Sequence, residues 1–391
     1  MCALPDILGD LANLANQGSD KRNTPPKEAW RPQLELDSDG GYFVSTPRSQ
    51  PVENAADLMA EFDLNPNDWI IVSVRRGKWQ TYHGEWLESY RVNLKPASQQ
   101  SSLVPYDDLE RELKRWKPKA KKITTGNLTA IYNIGDTQWG KDAGDGTAGT
   151  IARTQSALES ALEHHKTIAK RGIEQIALPQ LGDCIEGTVS QGGRIMGRLD
   201  LDLTAQVRVG RRVLLEWVKA FAPLTDKLII PVVPGNHDET TRQVIVDPMD
   251  SWQVEIVQQV LDICKEHPDL QHVEGRFPER DNTTLAVNFS GTMVGFAHGH
   301  QIRDAHKWWQ GQSFGSPNEG VGAADVLITA HYHHYAVKQF NHRLWIQIPS
   351  LDGGSHWFAD RTGLGASAPG GIVSLVVGDG YDSRRDLVVL S

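Results

Sequence analysis

The chain has 391 residues, of which 39% are apolar and 23% charged, and its formal net charge is −9. These values are typical of a soluble globular protein of two or three domains, and they exclude a polycation that binds nucleic acid over its whole surface. No stretch approaches the roughly 20 apolar residues of a membrane span, so no membrane partner is expected. Three cysteines without metal-site spacing, and first residues without a secretory pattern, favour a reducing, cytoplasmic setting.

The first quarter of the chain is predicted to form a flexible arm and a small module. Residues 1–28 are polar and contain prolines, which predicts the arm. Residues 29–96 predict an α+β module. Its elements are a strand at 41–46, a helix at 54–62, a strand and turn at 69–80, and a strand at 90–94.

The strand predicted at 69–80 carries basic residues beside a tryptophan, namely Arg75, Arg76, Lys78 and Trp79. This combination is compatible with a module that binds nucleic acid or a protein partner. In the alternative interpretation, Trp69, Trp79 and Trp86 form the apolar core of a small domain.

Residues 97–123 are predicted to be a helix followed by a basic linker. The helix is expected at 106–116, and lysines and arginines are dense from residue 111 to residue 122. The linker could follow a phosphate backbone, or it could be a solvated tether.

The remainder, residues 124–391, predicts one large α/β domain. Helices are expected at 149–171, 203–221 and 252–264, between apolar runs that are typical of buried strands. Paired strands are expected at 336–340 and 344–348, and a closing hairpin at 372–377 and 387–390.

Five predicted strands run directly into residues with metal-ligating side chains. The strands are 129–134, 176–181, 228–233, 292–297 and 326–330. The residues that follow them are Asp136, Gln138, Asp183, Asn236, His237, Asp238, His298, His300, His331 and His333. Because the carboxyl ends of strands gather ligands in α/β folds, these side chains are expected to converge on one site.

The donor set indicates a site for two metal ions. Carboxylate, amide and imidazole groups suit divalent ions such as Mn, Fe, Co, Ni or Zn, and they are more numerous than one ion needs. Two ions about 3.5–4 Å apart could clamp the oxygens of a phosphoryl displacement. A water that bridges them becomes hydroxide near neutral pH, so no nucleophilic side chain is required.

The motifs resemble those of the calcineurin-like metallophosphoesterase superfamily over residues 129–352. In chain order they are Asp136-x-Gln138, Gly182-Asp183-x-x-Glu186, Gly235-Asn236-His237-Asp238, His298-Gly299-His300 and Ala330-His331-Tyr332-His333. The resemblance implies a four-layer αββα sandwich with a dinuclear centre. Gln138 stands where the family has His; because an amide oxygen is the weaker ligand, the first ion would bind loosely or be Mn or Mg rather than Zn.

The resemblance also implies roles for single residues. The first ion would be held by Asp136, Gln138, Asp183 and His333. The second would be held by Asp183, Asn236, His298 and His331, with Asp183 shared. His237 would face the phosphate without binding metal, and Asp238 would orient it; His300 competes with His298 as a ligand. Mn²⁺ is the first expectation for both ions, with Fe, Ni, Zn or Mg as alternatives.

The leading functional hypothesis is a DNA nuclease, similar to the double-strand-break repair branch of this superfamily. It rests on the basic linker, the N-terminal module and the tryptophans near the motifs, which could stack on bases or pack in the core. The alternatives are a phosphomonoesterase or small-nucleotide phosphodiesterase, and a non-catalytic nucleic-acid-binding protein on the same scaffold. A protein partner at residues 29–96 and an oligomeric assembly are both left open.

Overall fold

The computed structural model describes residues 33–37, 40–52, 55–65, 68–96, 113, 115–118, 126–354 and 370–391. The chain divides into two compact units, Met1–Leu103 and Val104–Ser391. The boundaries predicted at residues 28, 96 and 123 stay predictions. The predicted arm and most of the predicted helix and basic linker at 97–123 lie outside the described residues.

The first unit is built on an antiparallel sheet of four strands in the order β1-β2-β4-β3. The strands are β1 (Gln33–Asp37), β2 (Gly40–Val44), β3 (Trp69–Gln80) and β4 (Trp86–Pro96), and the helix α1 is Ala55–Ala60. The core contains Phe43, Leu58, Met59, Tyr90, Val92 and Leu94. Trp69 packs against this core, whereas Trp79 and Trp86 are exposed, so the interpretation that all three form the core is wrong for those two. Strand β3 continues through the predicted turn.

The second unit has eleven further strands and four α-helices among its described residues. The strands are β5 (Leu128–Asn133), β6 (Ile173–Ala177), β7 (Lys227–Pro231), β8 (Val273–Arg276), β9 (Thr284–Phe289), β10 (Thr292–Ala297), β11 (Val326–Thr329), β12 (Ala336–Phe340), β13 (Arg343–Gln347), β14 (Ile372–Val377) and β15 (Val388–Leu390). The helices are α2 (Gly146–Ile168), α3 (Leu203–Phe221), α4 (Trp252–Glu266) and α5 (Ala305–Gly315). Sequence reasoning did not identify β8, β9 or α5.

These strands form two mixed sheets. One has six strands in the order β15-β14-β5-β6-β7-β8, and the other has five in the order β12-β13-β11-β10-β9. Strands β5 to β8 are parallel to one another, as are β10, β11 and β13. The α/β class predicted from the sequence is therefore the class observed.

The two sheets share one apolar core, and helices cover the other face of the larger sheet. Alternation along β5 explains both contacts: Ile131 packs toward the smaller sheet, while Ala130 and Tyr132 join the core with α2, α3 and α4. All six residues of β5 are buried, as expected for a central strand covered on both faces. Helix α5 packs through Trp309 onto Leu327 of the smaller sheet.

Helix α3 shows how local sequence sets the bounds of an element. The Asp202 side chain caps its first turn by accepting a hydrogen bond from the Ala205 N–H at 2.8 Å. Leu214, Leu215 and Val218 then recur at helical spacing and are buried against the larger sheet. No α-helix in the described part of the chain is long and apolar enough to cross a membrane.

Candidate metal centre

The predicted ligands lie at the carboxyl ends of strands in both sheets. Backbone hydrogen bonds join the loops, because the N–H groups of Asp136 and Gln138 donate to the carbonyls of Gly182 and Asp183, each at 3.0 Å. Gly235 also lies against this loop, since a Cβ at that position would come within 2.2 Å of the Asp183 nitrogen. The strand ends are therefore held in direct contact.

The backbone itself is strained where the ligands sit. Among the described residues, nine that are not glycine have a positive φ angle, and five of them belong to the predicted ligand set. The five are Asp136, Gln138, Asp183, His331 and His333, with φ between 44° and 72°. Such conformations cost about 1–3 kcal/mol each and concentrate at functional sites, because surrounding contacts must hold them.

One group of side chains is arranged as a metal cluster. Asp183, His298 and His331 each offer a ligand atom, and the three atoms lie within 4.8 Å of one another. Nε2 of His298 is 3.0 Å from Asp183 Oδ2 and 3.2 Å from Asn236 Oδ1. We call Asp183, Asn236, His298 and His331 the second half-site.

A hydrogen bond to a backbone carbonyl orients the ring of His298. Its Nδ1 is 2.7 Å from the carbonyl oxygen of Leu181, which can only accept a hydrogen bond. The Nδ1–H therefore donates to Leu181, and Nε2 faces the cluster, as in metal-binding imidazoles held by an outer hydrogen bond. Burial lowers the pKa of His298, but the Asp183 carboxylate outweighs it and raises the pKa to about 9.

The other predicted ligands, Asp136, Gln138 and His333, form what we call the first half-site. Asp136 is fully buried and its Oδ2 accepts a hydrogen bond from the His331 N–H at 2.8 Å. Asp136 Oδ1 lies 3.4 Å from His333 Nε2 and has no hydrogen-bond partner. A buried carboxylate oxygen without a hydrogen bond is costly, and it is free to bind a cation.

Two residues that sequence reasoning missed adjoin the first half-site. The buried carboxylate of Asp352 places Oδ1 at 3.4 Å from His333 Nδ1. Asp352 Oδ2 forms an ion pair with Lys141, whose Nζ is also 2.8 Å from Gln138 Oε1. Burial lowers the pKa of His333, but Asp136 and Asp352 outweigh it and raise it to about 10. The sequence could have indicated Asp352, because it follows the strand expected at 344–348. No sequence pattern indicated Lys141.

His237 lies beside the cluster and is held by Glu186. Its Nδ1 is 3.1 Å from the Glu186 carbonyl oxygen and 3.5 Å from Glu186 Oε2. Its backbone N–H donates to Asp183 Oδ1 at 2.7 Å. Burial lowers the pKa of His237, while Asp183 and Glu186 together outweigh it and raise the pKa to about 9.

Asp238 contacts the loop that carries Asp183, and the role predicted for it, orienting His237, stays a prediction. Its two carboxylate oxygens accept hydrogen bonds from the backbone N–H groups of Asp183, Cys184, Ile185 and Gly235, at 2.6 to 3.4 Å. It therefore fixes the loop that carries Asp183, and Glu186 takes the position behind His237. The physical reason is that the N–H groups of a tight turn converge on the nearest carboxylate.

His300, the competing ligand, lies at the rim. The residue is exposed, and its ring centroid lies 5.6 Å from that of His298. Partial loss of water around the ring, together with the charge of His298, lowers its pKa to about 4. It lines a cavity of about 310 Å³ together with Gly235, Arg242 and the exposed Ile245. The structure thus places His298 against Asp183 and His300 outside it, although the ligand assignment itself stays a prediction.

Two tryptophans next to the motifs are buried rather than available to bases. Trp139 belongs to the core beneath α2 and α3, and Trp309 donates its indole N–H to the Val321 carbonyl at 2.7 Å. Each is only 2% exposed. His356 and Trp357 lie outside the described residues. These two tryptophans therefore give no support to a nuclease.

No protein-family model and no curated protein matches this chain. Solved structures that resemble it include vacuolar protein sorting 29 from Cryptosporidium parvum, with 16% identity, 64% of this chain and 86% of that chain covered, and a TM-score of 0.30. A predicted phosphoesterase from Streptococcus pneumoniae has 13% identity, 65% and 86% coverage and a TM-score of 0.29. A novel archaeal phosphodiesterase has 14% identity, 67% and 99% coverage and a TM-score of 0.31.

TM-scores of this size carry no functional conclusion. The chain resembles the calcineurin-like metallophosphoesterases in its motifs and in the position of those motifs at the ends of strands.

Proposed function

We propose that this protein is a metal-dependent phosphodiesterase that acts on DNA. The observation that carries the proposal is the convergence of Asp183, His298 and His331 at the strand ends, with ligand atoms within 4.8 Å of one another. Asp183 and His331 are held on left-handed backbone, which is typical of positions fixed for function rather than for stability.

The donor set fits two divalent ions, Mn²⁺ first. Asp136, Gln138 and His333 would hold one ion, Asn236, His298 and His331 the other, and Asp183 would be shared. Asp136 Oδ1, which accepts no hydrogen bond, supports the fit, since a cation would satisfy it. Divalent ions in such a site supply positive charge to a phosphate ester and make water acidic enough to attack it near neutral pH.

His237 is suited to handle a proton at the scissile bond. Its side chain is 18% exposed, whereas that of Glu186 behind it is 3% exposed. The Glu186 carboxylate favours the protonated imidazole, so His237 would donate a proton to the oxygen that leaves phosphorus. Asp238 would hold the Asp183 loop in place through its backbone hydrogen bonds.

The β3–β4 hairpin supports a nucleic-acid substrate. Tyr82 at its tip is fully exposed, Trp86 is 53% exposed, and Lys78 Nζ lies 5.3 Å from the Trp86 ring centroid. Arg75 and Arg91 are directly opposite each other in the strand register. Like charges at such positions destabilise a sheet, and exposed aromatic rings beside cations are what single-stranded nucleic acid stacks on.

The direct test is digestion of labelled single- and double-stranded DNA in Mn²⁺, with His237→Ala as control. We expect the wild type to cut DNA and the variant to be slower by about two to four decades, the scale of a lost acid or charge donor. Turnover of p-nitrophenyl phosphate or a cyclic nucleotide without DNA cleavage would favour the small-ester alternative. Bound metal without any turnover would favour a non-catalytic binding protein.

The hairpin can be tested apart from the chemistry. Replacing Tyr82 and Trp86 by alanine should weaken DNA binding by about 1–3 kcal/mol for each lost stacking contact. Hydrolysis of a small chromogenic diester should stay at the wild-type rate, because neither side chain belongs to the metal centre. Unchanged DNA affinity would remove the hairpin as support for a nucleic-acid substrate.

A further inference from the structure

We propose that Lys141 weakens metal binding at the first half-site, so that the protein holds one ion tightly and a second ion loosely. The inference rests on the proposed metal centre and adds Lys141, beside the Gln138 ligand, as a cause of loose binding at the first half-site. Lys141 is a positioning residue here, because it acts through Gln138, Asp352 and His333 rather than on the ion.

The two half-sites differ in the charge that adjoins them. In the first, a lysine ammonium lies 2.8 Å from the oxygen that Gln138 would offer to metal. In the second, the Arg242 guanidinium donates to the backbone carbonyl of Asn236, and the Asn236 side-chain amide is left to face His298. The Lys141 ammonium therefore competes with a metal ion for a ligand oxygen of the first half-site. In the second half-site, Arg242 binds a backbone carbonyl and does not take up the Asn236 side-chain oxygen.

Lys141 also acts on His333 through Asp352. A carboxylate behind a metal-binding imidazole makes that imidazole a stronger ligand. Here Asp352 Oδ1 lies 3.4 Å from His333 Nδ1, but Oδ2 is paired with Lys141, and the Ser350 hydroxyl donates to Oδ1. Because Lys141 compensates its charge, Asp352 strengthens His333 as a metal ligand less than an unpaired carboxylate would.

The position of Lys141 is fixed by the local fold. Gly140 has a φ of +95°, and a Cβ there would meet the Gln206 side chain at 2.4 Å. The Lys141 N–H donates to the Gln138 carbonyl at 3.1 Å, and Lys141 pairs with Leu199 in an isolated bridge. Its side chain is only 16% exposed. This lysine is thus built into the site and is not a surface side chain that happens to fold over it.

The sequence departure at Gln138 acts in the same direction. An amide oxygen is already a weaker ligand than imidazole for these ions, and it can accept the Lys141 hydrogen bond that a metal-binding imidazole could not. Glutamine and lysine therefore form a matched pair. We expect the ion of the first half-site to bind only when the metal concentration is well above that needed to fill the second half-site.

The experiment is a calorimetric titration of the metal-stripped full-length chain with Mn²⁺. The wild type should take up one ion tightly and another at least about tenfold more weakly, within the range that outer-shell groups produce. Lys141→Gln, which can still hydrogen-bond Gln138 and Asp352, should tighten the weak ion by about ten- to a hundredfold and leave the tight ion unchanged.

Two controls separate charge from packing. Lys141→Arg keeps the charge and should keep the weak ion weak. Lys219→Gln replaces another half-buried lysine, 10% exposed and paired with Glu216, and should titrate like the wild type. Two equal sites in the wild type, or no tightening in Lys141→Gln, would overturn the inference and leave the metal centre standing. No Mn²⁺ uptake by the wild type would overturn the proposed centre and, with it, this inference.

Discussion

The strand-end site and the helix-covered core both contain buried histidines, and the two regions treat them in opposite ways. At the site, His298 and His333 face carboxylates, and their pKa values rise to about 9 and about 10 despite burial. In the core, His165 on α2 faces the Tyr132 hydroxyl at 3.0 Å, and burial lowers its pKa to about 4.

The difference shows what the strand ends are built for. Burial alone makes a histidine neutral, as in the core. Carboxylates from separate loops reverse that effect at the site, and one of their oxygens, Oδ1 of Asp136, remains without a hydrogen bond. The site therefore surrounds imidazoles with carboxylates, which the packed core does not, and this arrangement fits the divalent ions that we propose.

The largest expected effect is that of Asp183→Asn. Asp183 contacts His298 and the His237 backbone, and it is the residue that we propose both ions share. The amide removes the shared charge, so metal content per chain and the rate of diester hydrolysis should both fall to background. Elemental analysis and a chromogenic diester assay measure the two. An active Asp183→Asn variant with bound metal would refute the shared role. The matched control is Asp262→Asn on the surface of α4, which should keep its metal and its activity.

A second expectation compares two neighbouring histidines. His298→Gln should weaken Mn²⁺ binding by more than about a hundredfold, beyond the range of outer-shell changes. His300→Gln should change it by less than about tenfold, because His300 is exposed at the rim and contacts neither Asp183 nor Asn236 through a described hydrogen bond. The reverse order of effects would assign the ligand to His300.

A smaller effect is expected for Glu186→Gln. The amide can still contact His237 but does not favour the imidazolium, so the rate should fall by about tenfold while metal content is unchanged. The loss should appear in kcat rather than KM. Glu239→Gln, a neighbouring carboxylate paired with Arg242, should leave the rate unaltered; equal losses in both variants would point to general charge effects.

The smallest effect concerns the core. Burial lowers the pKa of His165 from 6.5 to about 4 in the folded chain. Between pH 4 and pH 6.5 the unfolded chain therefore binds more protons than the folded chain does. The stabilising contribution is fully present above pH 6.5 and is lost as the pH falls toward 4. Between pH 7.5 and pH 5, the wild type should lose roughly 2 kcal/mol relative to His165→Gln. Urea unfolding in the presence of a chelator measures the free energy of unfolding of both proteins. Equal losses of stability in the wild type and in His165→Gln would contradict this role for His165.

Sequence reasoning predicted the framework because the framework has local signatures. Apolar runs that end in Asp, Asn or His identified five strand ends, and helical spacing predicted the bounds 203–221 that α3 has. Sequence reasoning could not predict the contacts of Lys141 or the Glu186–His237 contact, since both depend on loops that are brought together by folding. The contacts of Asp238 were not predicted either, because its neighbour in sequence is His237, whereas its carboxylate contacts the backbone N–H groups of 183–185.

The account depends most on metal-dependent hydrolysis of a phosphodiester. The measurement is the turnover of bis(p-nitrophenyl) phosphate by the full-length chain, first stripped with a chelator and then supplied with Mn²⁺. We predict no turnover in the stripped protein, turnover on addition of Mn²⁺, and its loss again with excess chelator. Mn²⁺ bound at the strand ends without any hydrolysis would contradict the account, as would turnover that persists in the stripped protein.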